Sequence, residues 1–300
     1  MGQEGSVASA RATRVDEVTG IREEVGFIGT GPERIFSTVH APLGQPIGAV
    51  LLCSSILAEL LAGYQEEIWL SRSLARRGFV VRRFHYRGTG HSDGDADDVT
   101  YEQVVEDART VATHMREETG IDRLGFIGTR VGALIAATVA AGSPGAPLAL
   151  IQPILKGDAL FKEVSRSRII WLTREEGREP GEPPPEDVLA ILARDRWVDV
   201  LGYRLTERLY ESVRSHVLAD ELGSQPRPVQ LVQVAKRKGV SPDYQRFLDE
   251  LTARGFETEA QLVNDEIAWW FHDTRRHLLP EIGDAIVPWL SERIEREGAR

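Results

Sequence analysis

Short β-branched runs alternating with longer amphipathic stretches are the feature that most constrains this chain. Strands followed by helices pack as a mainly parallel sheet covered on both faces. Residues 48–53 are uncharged and continuous, as a strand buried on both sides requires. Further strands are predicted at 24–29, 33–39, 79–86, 123–128, 148–155, 229–235 and 259–263. That makes a mainly parallel eight-stranded sheet, with Thr30, Gly31 and Pro32 as a hairpin turn between the first two runs. Helices are expected at 68–77, 100–118, 131–141, 242–254 and 284–296, with Gly78 at a C-cap and Thr100 with Gln103 as a capping box.

The strand rhythm stops between about 158 and 226. Residues 158–226 are therefore expected to form a helical cap insertion, with 21–157 and 227–300 as the α/β core. Within the insertion, 173–187 is too polar and Pro-rich to pack well. Residues 1–20 lack an apolar core, which excludes a secretory signal and leaves a loose polar tail. A net charge of −10 argues against nucleic acid or an anionic membrane as partner. No run approaches the roughly 18 apolar residues of a membrane span. One cysteine excludes an internal disulfide and fits a reducing cytoplasm, and the seven histidines show no metal-ligand spacing. No cofactor fingerprint is evident, and homo-oligomerisation is left open.

The segment Gly125-Phe126-Ile127-Gly128-Thr129-Arg130-Val131-Gly132 runs from a buried strand straight into a buried helix. Small residues two before and two after residue 130 permit a sharp turn that presents one side chain at the strand's end. The chain here resembles the α/β-hydrolase superfamily, whose elbow reads G-x-S-x-G, with Arg130 at the central position. A Rossmann phosphate loop is the competing reading, but the spacing Gly128-x-x-x-Gly132 does not fit it. Residues 87–94, Arg-Gly-Thr-Gly-His-Ser-Asp-Gly, are similar to a loop of the serine aminopeptidase-like branch, with His85 where that branch carries aspartate. Residues 150–160 and 202–210 resemble the exosortase-associated hydrolase group, whose members also tend to carry arginine at the elbow. The resemblance spans roughly residues 24–295 and implies an α/β-hydrolase fold.

Arginine changes the chemistry that this resemblance implies. A guanidinium stays protonated and has no lone pair with which to attack a carbonyl. Loss of a serine nucleophile costs roughly six orders of magnitude in turnover. A cation at a helix N-terminus instead favours an anion. Two readings stand: Arg130 binds an anionic group of a small acyl substrate, or it folds onto an acid such as Asp243 or Glu266 and plugs the site.

The superfamily places its acid after the strand at 229–235, which points to Asp243, and its histidine after the last strand, which points to His277 with His272 as competitor. Ser241, Pro242 and Asp243 equally read as the start of the next helix. An oxyanion hole is expected from backbone N–H groups near Ser54 or Ser55 and at Val131, while Gln152 and Lys156 are expected to line the pocket. Cys53, Ser54 or Ser55 is a conceivable relocated nucleophile. The functional expectation is a non-classical hydrolase-fold protein acting on a small acyl or carboxylate-bearing metabolite by oxyanion stabilisation and acid/base chemistry. The alternatives are a non-catalytic binding protein and a hydrolase with a relocated nucleophile.

Overall fold

A computed structural model describes residues 11–122, 124–175, 185–265 and 278–297. Its strands are β1 Ala12–Asp16, β2 Ile21–Ile28, β3 Ile35–Pro42, β4 Gly48–Cys53, β5 Phe79–Phe84, β6 Leu124–Thr129, β7 Leu148–Ile151, β8 Trp197–Val200, β9 Tyr203–Thr206, β10 Pro228–Val234 and β11 Glu257–Val263. The main helices are α1 Ala58–Arg76, α2 Tyr101–Thr119, α3 Gly132–Ala140, α4 Gly157–Glu175, α5 Val188–Asp195, α6 Glu207–Val213, α7 Leu218–Glu221, α8 Pro242–Ala253 and α9 Pro280–Glu297.

One sheet runs β1-β2-β3-β5-β4-β6-β7-β10-β11, and β8 pairs with β9 separately. β1, β2, β3 and β5 pair antiparallel, and every neighbour from β5 onward pairs parallel. This is the α/β-hydrolase fold that the sequence implies, with one strand more than the eight expected. The extra strand, β1, falls inside the stretch read as a loose tail. Four of its five residues are exposed, so no alternation of apolar and polar residues marked it.

β4 and β6 have every residue buried, because helices cover both faces of the sheet centre. On one face Leu70 and Leu74 of α1 pack with Ile282, Ile286, Leu290 and Ile294 of α9. On the other, α2, α3 and α8 pack with the helices that follow β7. Thr100 caps α2 by accepting from Gln103 N at 3.2 Å, but the Gln103 side chain donates to the Arg87 carbonyl instead of closing the box. Between β7 and β10 the chain forms α4 to α7 and also the β8–β9 hairpin, so this stretch is not wholly helical. Most of the Pro-rich segment 173–187 lies outside the described residues.

The loop at 87–94 fastens β3 to β5. Ser92 Oγ donates to His85 O at 2.6 Å and accepts from Phe36 N at 2.8 Å, while Asp93 holds Arg34. Arg87 binds the buried Asp107. Gly90, at φ 55°, rests against the His85 ring, where a Cβ would come within 2.3 Å of Nδ1. His91 N donates to that nitrogen at 2.9 Å. Burial, then the charges of His91 and Arg83, push His85 down to about 4.

Candidate functional site

The turn between β6 and α3 places Arg130 at the C-terminal end of the central sheet. Its backbone is left-handed, φ 54°, a strained conformation for a residue with a Cβ. The flanking glycines make room for it. A Cβ on Gly128 would lie 2.5 Å from Ala133 Cα, and one on Gly132 would lie 2.2 Å from the Cys53 carbonyl oxygen. The strand-to-helix corner read from the sequence is therefore present, with the Arg130 side chain at its apex.

The Arg130 side chain is folded inward, and the residue is 1% exposed. Nη2 donates to Glu59 Oε1 at 3.0 Å and also contacts Glu163, while Nη1 donates to the Gln152 carbonyl at 3.2 Å. Burial works against the charge, and the carboxylates of Glu59 and then Glu163 more than offset it, holding the guanidinium above its ordinary value. Among the described residues, one cation thus faces two acids. Neither was singled out from the sequence, which suggested Asp243 or Glu266.

Glu59 belongs to a set of inward-facing acids on α1. Glu59, Glu66 and Glu67 are all buried; Glu59 and Glu66, seven residues apart, stack along one side of the helix, and Glu67 points about 100° around it from Glu66. Glu66 accepts from Leu279 N at 2.9 Å, tying α1 to the start of α9. Glu67 accepts from Ser54 Oγ at 2.6 Å and Thr129 Oγ1 at 2.8 Å, with Arg83 at 3.5 Å. Burial pushes the Glu67 carboxyl up, and the Arg83 charge and the two hydroxyls partly offset this. Part of the signal for these acids was available in the sequence: Glu59 and Glu66 stand seven residues apart, shortly after the strand that leads to Ser54 and Ser55.

Ser54 and Ser55 follow β4 and are buried. Ser55 Oγ donates to Glu59 at 2.6 Å, as Ser54 Oγ does to Glu67. Around the elbow, the carbonyls of Cys53 and Ser54 close on Gly132, next to Val131, the residue that caps α3. The Cys53 thiol is fully buried and pushed up, first by burial and then by the Glu67 charge. Gln152, at φ 45°, donates N–H to Val232 O and accepts from Val234 N through Oε1, so its side chain ties β7 to β10.

A cleft of about 790 Å³ opens beside this cluster, at the C-terminal ends of β7 and β10. Gln152, Lys156, Glu163, Gln233, Tyr244 and Phe247 are among its walls. Gln152 and Lys156, expected from the sequence near a pocket, stand on this cleft's wall. Asp243 is also on the wall, but as the second residue of α8 it points to solvent, its side chain 74% exposed and paired with Arg246. It is not brought to the elbow: Ser241 caps α8 by accepting from Tyr244 N, and in that first turn Tyr244 faces inward while Asp243 faces out. His272, His277 and Glu266 lie outside the described residues. Among the described residues no three His, Cys, Asp or Glu side chains are grouped to hold a metal ion. No helix among them is long and apolar enough to cross a membrane.

Residues 44–175 match the family model described as serine aminopeptidase, S33. No curated protein matches the chain. Among solved structures, the chain is similar to Est1E from Butyrivibrio proteoclasticus bound to ferulic acid, at a TM-score of 0.60 and 15% identity, over 90% of this chain and 99% of that one. A thermostable carboxyl esterase from Bacillus coagulans in complex with glycerol gives a TM-score of 0.60 and 15% identity, over 91% and 99%. The thioesterase domain from the curacin biosynthetic pathway gives 0.53 and 15%, over 90% and 99%. At these identities the likeness establishes the fold alone.

Proposed function

We propose that this chain is a non-acylating ligand-binding protein built on the α/β-hydrolase fold, and that its cleft takes up a small acyl or carboxylate-bearing molecule. The observation that carries this reading is Arg130, buried at the strand-to-helix corner with Glu59 and Glu163 on its guanidinium. An arginine there offers no attacking lone pair, and two carboxylates already occupy its positive charge. The neighbouring hydroxyls support the same reading. Ser54 and Ser55 are buried and committed to carboxylates, and the Cys53 thiol is kept protonated by burial. What remains accessible is a cleft with charged and apolar walls, including Lys156, Leu155 and Phe247.

The test pairs a covalent probe with a binding measurement. A fluorophosphonate probe is expected to leave the protein unlabelled, and p-nitrophenyl butyrate to show no burst of nitrophenolate. Calorimetry with octanoate and octanamide is expected to show saturable binding of both. Stoichiometric labelling of one serine, or a burst, overturns the non-acylating part. Absence of binding by both ligands overturns the cleft assignment.

A further inference from the structure

Among the described residues Arg130 pairs with two acids, and the two are not equivalent. Glu59 is buried on α1 beneath the elbow, where Ser55 Oγ also donates to it. Glu163 comes from α4, and its side chain is 42% exposed. Glu163 is also a wall residue of the cleft, as are Gln152, whose carbonyl accepts from Arg130, and Tyr244. The cleft thus reaches the elbow arginine through Glu163.

We propose that Glu163 occupies the place of the ligand's own carboxylate, and that an amphipathic monocarboxylate binds by displacing it from Arg130. This rests on the binding function proposed above and names its ligand class. A guanidinium presents its N–H groups in a fixed planar fork matched to carboxylates. Exchange of one carboxylate for another therefore preserves both the hydrogen bonds and the charge of the cluster. Glu59 remains in place and keeps the buried guanidinium paired while Glu163 swings into the water of the cleft. Ile154, Leu155, Val217 and Phe247 on the walls suit an apolar body behind the carboxylate, and Lys156 is an exposed cation on the same wall, with no ion pair among the described residues. Neutral ligands gain nothing from the exchange, so Glu163 competes with charged ligands alone and tempers their affinity.

The experiment measures octanoate and octanamide affinity by calorimetry on the full chain, comparing wild type with Glu163→Gln and Glu250→Gln. Glu163→Gln removes the competing charge while nearly preserving shape, at a half-exposed position that leaves folding intact. Octanoate is expected to bind Glu163→Gln about ten-fold tighter, the scale of one hydrogen bond to a charged group, with octanamide unchanged. Glu250 lines the same cleft and pairs with Arg254 instead of the elbow. Its neutralisation reports the general field of the cleft and is expected to change octanoate affinity by less than about two-fold. An equal gain in both variants, or no gain for octanoate while octanamide still binds, overturns the exchange and leaves the binding function standing. Absence of binding by both ligands to every variant overturns the two together.

Discussion

Glu59 and Glu67 leave α1 about two turns apart and reach the same end of the sheet, yet the clusters they anchor differ in kind. Around Glu67 the described partners are inside: Ser54, Thr129 and Arg83 are all buried, and none of them lines the cleft beside Arg130. Around Glu59 the arginine is equally buried, but the second acid, Glu163, stands half in the cleft. A sealed polar cluster rigidifies a core, because each group is costly to leave unpaired. One open on a single side can exchange a partner with solution at little cost. The contrast separates what holds this elbow from what it can recognise.

The sealed cluster should show the largest response. Glu67→Ala strands the buried Arg83 and two hydroxyls, and urea unfolding should show a loss of about 3–5 kcal/mol, the range for breaking a buried charged pair. Glu67→Gln keeps an acceptor for one hydroxyl and should lose less. The same residue sets a pH dependence. Its folded pKa lies above the ordinary 4.5, so the folded chain holds more protons than the unfolded one above that pH. The stability Glu67 contributes is complete below pH 4.5 and lost as pH rises through the folded value. His85 and His40, both pushed down to about 4 chiefly by burial, act oppositely: their contribution is complete above 6.5 and lost as pH falls towards 4. Urea midpoints of Glu67→Gln between pH 4.5 and 6.5 should therefore rise with pH more steeply than those of wild type. An unchanged slope would mean that Glu67 is ionised throughout the folded range.

The elbow should respond next. Arg130→Met removes the cation from Glu59 and should cost about 3 kcal/mol in urea unfolding, the low end for a broken buried pair. The loss should stay below that of Glu67→Ala because Glu163, once released, is solvated in the cleft. A loss under about 1 kcal/mol would show that Glu59 does not depend on the guanidinium, and would erase the distinction between the clusters.

Much of this frame was legible from the sequence because doubly buried strands leave an unbroken apolar signature. The run at 48–53 coincides with β4 at both ends, and Pro242 and Gly78 mark the edges of their helices where capping chemistry requires. The elbow was legible for the same kind of reason: only glycine fits at 128 and 132. The first half of α1 was missed because its acids turn inward, breaking the rule that charge marks the solvent face; the helix begins at Ala58, not Ile68. The partners of Arg130 were missed because they lie 71 and 33 residues away in sequence, beyond any local pattern. Asp243 was a good match by position in the chain, but a capped helix start satisfied the same pattern.

The smallest effect is the most discriminating. Glu163→Gln should change the urea midpoint by less than about 1 kcal/mol in stability, because its carboxylate is 42% exposed and a pair screened by solvent contributes little. Loss of Glu163 also leaves the buried Arg130–Glu59 pair in place. A near-silent result here beside a large loss for Arg130→Met shows that one arm of the cluster carries the fold and the other is free to serve a ligand. A loss comparable to that of Arg130→Met would make Glu163 as structural as the buried acids of α1, and the elbow would then be as closed as the Glu67 cluster.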